Sequence, residues 1–274
     1  MLGDLATSPL GLGDDDFRIS LAGAQEKIAL LHRDNRWYKP TSVTATTHIL
    51  KPQIGCLPNS IDLSCSVENE FLCLKICAAL GLPSAAVDIS EFGGKRVLVV
   101  ERFDRRWTRD RRLLRLPQED CCQALSVPPT LKYEAEGGPG IQAILDLLRG
   151  SDDPAADQQL FLRAVIVFWL LGATDGHAKN FSLFLAPGGR FRMTPLYDVV
   201  SAQPSADEGQ IRRNQLKLAM AVGDSRHYVV ETILRHFIQT AGRAGIAAPV
   251  VRAILEDLQA RADFELIESE IHKK

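Results

Sequence analysis

The sequence predicts an α+β protein of two lobes, a β-rich first third followed by a mainly helical remainder. Two observations lead to this prediction. Up to about Asp104, short strand-like stretches alternate with turn residues, and only one segment has helical spacing. After Asp104, the apolar residues recur mostly with helical spacing. Residues 1–104 and 105–274 are therefore expected to form an N lobe and a C lobe with a cleft between them.

The first lobe is predicted to be a sheet with one helix. Apolar residues at helical spacing indicate this helix at residues 67–80, and Gly81 and Pro83 end it. Gly93 and Gly94 indicate a hairpin. The strand that carries Lys51 is expected to stop at the following proline, which lacks an N–H group. The predicted strands are residues 17–20, 27–32, 37–38, 48–51, 86–90 and 96–101.

The second lobe is predicted to centre on the most apolar run of the chain, residues 161–173. Arg163 interrupts this run, which is shorter than the roughly 20 residues that cross a bilayer. It therefore predicts a buried helix and no membrane partner. The predicted helices are residues 142–148, 158–172, 228–241 and 250–267, and residues 181–185 and 190–193 are predicted to form a hairpin across Pro187-Gly188-Gly189.

Composition limits the classes of function. The 274 residues are 46% apolar and 24% charged, as in an ordinary globular protein, and the net charge of −2 argues against general coating of nucleic acid. Six arginines lie close together in the sequence and form either a local basic patch or an ordinary solvated loop: Arg102, Arg105, Arg106, Arg109, Arg111 and Arg112. The six cysteines form no CxxC pair, and the N-terminal residues lack a signal-peptide pattern, so a cytoplasmic location is expected.

The segment Asp175-Gly-His-Ala-Lys-Asn180 is the most specific motif. It lies between the long apolar helix and the predicted hairpin, and Asp198 follows that hairpin. Protein kinases place a catalytic Asp and a metal-binding Asn five residues apart in such a loop, and a second metal-binding Asp later. Each short motif alone also fits a turn or a strand cap, but the complete order is hard to obtain by chance. The sequence thus predicts a protein-kinase-like fold.

These residue types suit phosphoryl transfer from ATP. Negative charge builds up on the transferred phosphate, and Mg²⁺, which prefers hard oxygen ligands, neutralises it. Asn180 and Asp198 would supply such oxygens, and Asp175 would orient the attacking hydroxyl and accept its proton. ATP and Mg²⁺ are therefore the expected cofactors.

Lys51 is the second candidate, because a lysine that ends an apolar strand can reach the ATP phosphates. Kinases hold this lysine with a helical glutamate, and Glu70, nineteen positions later, is the candidate, with Glu68 as a rival. Alternatively, Lys51 is a solvated lysine at the edge of a strand, and the glutamate lies in the first turn of the helix because the helix dipole favours negative charge there.

Two further segments have positions typical of a nucleotide site. The stretch from Ser20 to Lys27 lies between two predicted strands, where a loop could cover ATP; it has only one glycine and equally fits an ordinary hairpin loop. The second segment consists of Glu101, Arg102 and Phe103, which follow a predicted strand. They either form the hinge that kinases have at this position or are simply the end of the strand. The loop residues assigned to nucleotide binding are Ala22, Gly23, Ala24, Gln25, Glu26 and Lys27.

Together these segments resemble the HipA family of kinase-fold toxins. The resemblance is carried by RISLAGAQEK (18–27), TTHILKP (46–52), VVERFDRRW (99–107), LRLPQED (114–120), KYEAEGGPG (132–140), LLGATDGHAKNFS (170–182) and MTPLYDVVSA (193–202). It implies a serine/threonine kinase that phosphorylates an aminoacyl-tRNA synthetase. It also implies partnership with a helix-turn-helix antitoxin, through which alone the chain would meet DNA. Family matching further implies autophosphorylation of Ser20, and His177 and Lys179 are assigned to the nucleotide site.

The sequence also departs from the family pattern. Only seventeen residues precede Arg18, where full-length members carry another subdomain. We expect a relative that lacks it, a chain from which it has been removed, or a HipT-like protein that receives it from a separate small protein. Two other functions remain open: a small-molecule kinase of the aminoglycoside or choline type, and a kinase-like module that binds without catalysis.

Overall fold

The computed structural model describes residues 25–40, 44–57, 61–224, 226–263 and 268–269. The first part contains β1 (Ile28–Arg33), β2 (Arg36–Tyr38), β3 (His48–Pro52), β4 (Gly55–Cys56), β5 (Asp62–Leu63), α1 (Ser66–Ala79), β6 (Val87–Phe92) and β7 (Lys95–Glu101). Five of these strands form one antiparallel sheet in the order β2-β1-β3-β7-β6. The remaining two, β4 and β5, pair with each other beside the start of α1.

The sheet register places Lys51 toward α1. Lys51 on β3 pairs with Leu98 on β7, and Leu98 packs in one apolar cluster with Val67 of α1. Side chains of paired residues lie on the same face of a sheet, so Lys51 shares that face. The β6–β7 hairpin holds the register, because Gly93 and Gly94 both have the positive φ angles (57° and 74°) that a tight two-residue turn requires.

The second part is a helical core with three small sheets. Its elements are β8 (Arg105–Trp107), β9 (Leu113–Arg115), β10 (Gln118–Asp120), α2 (Cys121–Ala124), α3 (Ile141–Leu148), α4 (Pro154–Leu171), β11 (Ser182–Ala186), β12 (Arg190–Met193), α5 (Gln203–Asp207), β13 (Lys217–Val222), β14 (Arg226–Tyr228), α6 (Leu234–Arg243) and α7 (Ala248–Arg261). The sheets are β8-β9, β10-β11-β12 and β13-β14.

Helix α4 is the core helix of this part. Asp153 caps its first turn by accepting a hydrogen bond from the Ala156 N–H, and Gly172 ends it in a left-handed conformation. By length and apolar composition it could cross a membrane, but its middle is buried between α1, α3, α6 and α7. Arg163 ties it to α7 through Asp257 and to the carbonyl of Leu80. The run of apolar residues thus serves as packing surface.

Several predicted boundaries were wrong. Pro52 does not stop β3 but is its last residue and pairs with Val97, since an end position needs no proline N–H. Residues 228–241 are not one helix: β14 and a 3-10 turn, Val229–Glu231, precede α6, whose start is capped by a hydrogen bond from the Ile233 N–H to the His236 ring. The C-terminal helix α7 begins two residues before the prediction. The strand predicted at 17–20 and residues 264–267 lie outside the described residues.

Candidate active site

A buried lysine joins three separate elements. The Lys51 Nζ donates hydrogen bonds to Glu70 Oε1 of α1 at 2.7 Å and to Asp198 Oδ1, after β12, at 2.8 Å. The Lys51 side chain is only 10% exposed and that of Glu70 only 3%. Glu68, the rival for this pairing, instead binds Arg96 at 2.6 Å. The Lys51–Glu70 pair therefore spans the sheet and α1 as the spacing predicted.

Burial and charge shift the pKa values of all three groups in this cluster. Burial alone would lower the pKa of Lys51, but the charges and hydrogen bonds of the two carboxylates outweigh burial and raise that pKa above its usual value. Burial would raise the pKa of Asp198, yet the Lys51 ammonium holds it below its ordinary range. For Glu70, burial prevails and raises the pKa, opposed by Lys51. The Lys51 ammonium thus lies between two carboxyl groups whose pKa values are shifted in opposite directions.

The loop after α4 presents Asp175. Its Oδ1 accepts a hydrogen bond from the Tyr133 hydroxyl at 2.5 Å. The His177 ring lies behind it, packed edge-on against Tyr133, with 5.1 Å between ring centroids. Burial and the nearby Lys132 lower the pKa of His177 to about 3, so this imidazole is neutral at physiological pH. His177 is 1% exposed, and its contact with the nucleotide stays a prediction.

Asn180 and Asp198 have the geometry and chemistry of a hard-cation site. Asn180 Nδ2 donates to the Asp198 carbonyl at 3.2 Å, and Asn180 Oδ1 is buried without a hydrogen-bond partner among the described residues. The Asp198 side chain keeps 29% of its surface exposed. An unsatisfied amide oxygen beside a carboxylate matches the oxygen ligands that Mg²⁺ prefers. These two residues fit the predicted metal.

Helix α1 is also hydrogen-bonded to the segment that carries Asp198. Asn69, one residue before Glu70, donates from Nδ2 to the Ser201 carbonyl at 2.8 Å and accepts from the Ser201 N–H at 2.9 Å. On the other side of Asp198, the Leu196 carbonyl accepts from the Ala85 N–H at 2.8 Å. Asn69 therefore connects the helix that carries Glu70 to the segment that carries Asp198.

The predicted hinge and nucleotide loop are only partly described. Glu101 ends β7 and is exposed, whereas the Arg102 guanidinium is bound to Asp104. The Phe103 ring contacts Tyr197 at 5.7 Å between centroids, next to Asp198. Gln25 donates to the Pro52 carbonyl at 3.2 Å, and the charge of Lys27 helps to lower the pKa of Asp198. Within the described part of the chain, Glu26 makes no hydrogen bond or ion pair, and Ser20, Ala22, Gly23 and Ala24 lie outside that part.

Known proteins share this sequence and architecture. The HipA-like C-terminal domain family matches residues 19–265. The chain belongs to this family. A Sinorhizobium fredii protein named "Putative kinase Y4mE" is 39% identical over 259 residues, which are 94% of this chain and 58% of that protein. The Shewanella oneidensis protein named "Serine/threonine-protein kinase toxin HipA" is 32% identical over 228 residues, 79% of this chain and 49% of that protein.

Solved structures extend the likeness to the fold. The HipA structure in the Shewanella oneidensis toxin–antitoxin complex of HipA, HipB and operator DNA has a TM-score of 0.79 at 28% identity, over 98% of this chain and 62% of that one. The Helicobacter pylori proinflammatory kinase CtkA has a TM-score of 0.51 at 12% identity, over 89% of this chain and 86% of that one. The predicted two-lobed kinase-like fold is thus confirmed. The chain spans about half the length of the curated relatives that it matches.

Sequence reasoning missed four residues of this HipA-like site. Tyr133 binds Asp175, and Asn69 joins α1 to the Asp198 segment. Asp120 binds Lys179 at 2.5 Å, so Lys179 is occupied by a carboxylate within the protein. Burial lowers the pKa of Lys132, and the negative charges of Asp175 and Asp198 partly offset this lowering. Lys132, Tyr133 and Asp120 all lie in segments that carry the family resemblance, which was the available signal.

Replacing Tyr133 by phenylalanine tests how Asp175 is held. The change removes the hydroxyl that donates to Asp175 and keeps the ring against His177. Because hydrogen bonds to charged groups contribute about 1.5–3 kcal/mol, we expect kcat of the predicted phosphoryl transfer to fall about ten- to hundredfold with KM for ATP nearly unchanged. Tyr38→Phe, on exposed β2, is the matched control and should keep full kcat. A Tyr133→Phe enzyme with normal kcat would show that this hydrogen bond has no catalytic importance.

Gly176 allows the Asp175 loop to lie close to α4. A Cβ atom added to Gly176 would stand 2.3 Å from the buried Phe168 ring, which stacks on Phe181. We expect Gly176→Ala to lower the free energy of unfolding by about 1–3 kcal/mol, as overpacking of a core does. Gly242→Ala, in α6 with open space around it, should instead stabilise by about 0.5–1 kcal/mol. Urea unfolding of both variants measures the contrast, and equal midpoints would contradict it.

Proposed function

We propose that this chain is an ATP-dependent serine/threonine protein kinase and the toxin of a HipA-type toxin–antitoxin module. The observation that carries the proposal is the contact of Lys51 with both Glu70 and Asp198, beside Asn180 and close in the fold to the Asp175 loop. These residue types at these positions are those that kinases use to hold and transfer a phosphoryl group. Family membership supports the same activity.

Each residue has a specific task in this proposal. Lys51 binds phosphate oxygens of ATP, and Glu70 keeps its ammonium oriented and charged. Asp175 accepts the proton of the attacking hydroxyl while that oxygen bonds to the γ-phosphorus and the bond to the β–γ bridging oxygen breaks. Tyr133 holds the Asp175 carboxylate in position. Asn180 and Asp198 hold Mg²⁺, which when bound supplies positive charge against the phosphate oxygens.

The adenine end of the site is assigned to residues 101–103 and the loop from Ala22 to Lys27. Phe103 lies against Tyr197, at the junction of the first sheet with the Asp198 segment. Residues 1–104 as N lobe and 105–274 as C lobe are part of the same proposal.

Ser20 is proposed to be an autophosphorylation site that silences the kinase. A phosphoserine carries close to two negative charges at neutral pH and would repel the ATP phosphates beside Lys27 and Lys51. The serine belongs to the same segment as the proposed nucleotide loop. Incubation with ATP should therefore label wild type but not Ser20→Ala, and the label should reduce transfer to other substrates.

The biological setting is also a proposal. The substrate is an aminoacyl-tRNA synthetase in the cytoplasm, whose modification arrests translation. A helix-turn-helix antitoxin binds the kinase. The Shewanella oneidensis HipA structure with HipB and operator DNA supports such an antitoxin.

Phosphoproteomics of cells that express the chain or its Asp175→Asn variant tests the proposal. We expect phosphoserine on one or a few proteins, a synthetase among them, in wild-type cells alone. Lysate labelled with radioactive ATP provides the control for substrate class. Labelled protein bands support a protein kinase, whereas a labelled metabolite without protein bands would identify a small-molecule kinase.

A further inference from the structure

A strongly basic surface lies beside the predicted hinge. It consists of residues 33–39, around the β1–β2 turn, and residues 105–115, the β8–β9 hairpin, and is called the arginine surface below. These two segments contain nine arginine or lysine residues and two aspartates, although the whole chain has a net charge of −2. Such a concentration of one sign in an acidic chain marks a place where polyanions are attracted.

The hairpin is fixed to the first sheet by two inward-facing arginines. Arg105 donates from Nε to the Thr46 carbonyl at 3.0 Å and from Nη1 to Asp104 Oδ2 at 2.6 Å. Arg102 forms two hydrogen bonds with the same carboxylate. These two arginines have structural partners, whereas Arg106, Arg109, Arg111 and Arg112 are exposed. The exposed arginines thus project from a hairpin that these hydrogen bonds hold in place.

A groove runs between the two segments of the arginine surface. It consists of two adjoining depressions of about 460 and 520 Å³, and Arg33, Trp107 and Arg111 line both. Arg115 and Leu113 line only the second. Each depression is within the size range of small-ligand sites, large enough for one nucleoside. Trp107 therefore stands at the junction of two neighbouring compartments.

The charged side chains in the groove form only weak ion pairs with each other. Asp34 lies 3.3 Å from the Arg33 guanidinium and 3.7 Å from that of Arg111, and all three side chains are largely exposed. Exposed ion pairs of this kind contribute little, so a phosphate can take over these guanidinium groups. Trp107 is 43% exposed and pairs across the hairpin with Leu113. An exposed indole between arginines is the combination that stacks nucleic-acid bases.

We propose that this groove binds single-stranded nucleic acid, with a base stacked on Trp107 and the flanking phosphates on Arg33, Arg111 and Arg115. An acidic peptide without aromatic residues would satisfy the guanidinium groups but would offer no planar ring to Trp107. The proposal goes beyond the kinase function and does not depend on it, because no residue of the groove belongs to the proposed phosphoryl-transfer site.

Fluorescence anisotropy with labelled twelve-nucleotide oligo(U) and oligo(dT) tests the groove in the full chain. Trp107→Leu, which keeps apolar bulk on β8, should weaken binding about fivefold or more through lost stacking. Arg33→Ala with Arg111→Ala should weaken binding and reduce the slope of log K against log salt by about 1.4, as expected for two lost phosphate contacts. Arg252→Ala, an exposed arginine on α7, is the control and should bind like wild type.

Three outcomes separate the possibilities. Unchanged folding and unchanged ATP affinity in the groove variants, together with weaker oligonucleotide binding, support the proposal. Binding that stays within twofold of wild type in both groove variants overturns it, as does labelled polyglutamate binding as tightly as oligo(U). Asp175→Asn should retain oligonucleotide binding, so a failure of the kinase proposal would leave this result unaffected.

Discussion

Replacing Asp175 by asparagine should lower the rate of phosphoryl transfer by about 10³-fold. The change keeps the shape of the side chain but removes the carboxylate that accepts the proton of the attacking hydroxyl, and general bases contribute about 10²–10⁴-fold. Tyr133 can still donate its hydroxyl hydrogen bond to the amide oxygen, so the fold should remain intact. Single-turnover transfer of radiolabelled phosphate measures the effect.

Asp146→Asn is the matched control for this prediction. Asp146 lies on α3 with 48% of its side chain exposed, and its partners are Gln142 on the same helix and Arg149 directly after it. This variant should keep the wild-type rate and stability. An Asp175→Asn protein that retains more than a tenth of wild-type activity would remove Asp175 from the role of base.

Replacing Lys51 by methionine should affect activity and stability together. Loss of the phosphate-binding ammonium should lower kcat/KM by about 10²-fold or more, because oriented charged groups provide much of the stabilisation in phosphoryl transfer. The same change leaves the buried Glu70 carboxylate without its partner. Removing one member of a buried ion pair costs about 3–5 kcal/mol, so the free energy of unfolding should fall by about that amount.

A double variant separates the two effects. Lys51→Met with Glu70→Gln removes the unpaired buried charge, so most of the lost stability should return, whereas activity should stay low. Urea unfolding and ATP turnover of the single and double variants complete the cycle. Recovery of activity in the double variant would contradict a phosphate-binding role for Lys51, and absence of any stability loss in Lys51→Met would contradict a buried pair.

The parts of the fold that could be predicted are those set by local pattern. The Gly93-Gly94 hairpin and the core helix follow from turn chemistry and helical spacing within short segments. The β8–β9 hairpin was missed because arginine-rich stretches resemble solvated loops, and only the contacts of Arg105 with Thr46 and Asp104 fix it. Arg105 and Thr46 are 59 positions apart in the sequence, so no local pattern shows their contact.

The same distinction holds for the site. Lys51, Glu70, Asp175, Asn180 and Asp198 could be proposed because their types and order suit one reaction. The supporting contacts could not, because they join distant parts of the chain: Tyr133 to Asp175 across 42 positions, Lys179 to Asp120 across 59 and Asn69 to Ser201 across 132. A tyrosine or asparagine is compatible with many roles, so only folding in three dimensions identifies these partners.

A crystal structure with a non-hydrolysable ATP analogue and Mn²⁺ in place of Mg²⁺ would be the most direct test of the site. We expect anomalous signal from the metal between Asn180 Oδ1 and the Asp198 carboxylate, and the Lys51 ammonium within hydrogen-bonding distance of a nucleotide phosphate. The γ-phosphate should face Asp175. A nucleotide bound elsewhere, or a metal without Asn180 and Asp198 as ligands, would contradict the proposed phosphoryl-transfer site.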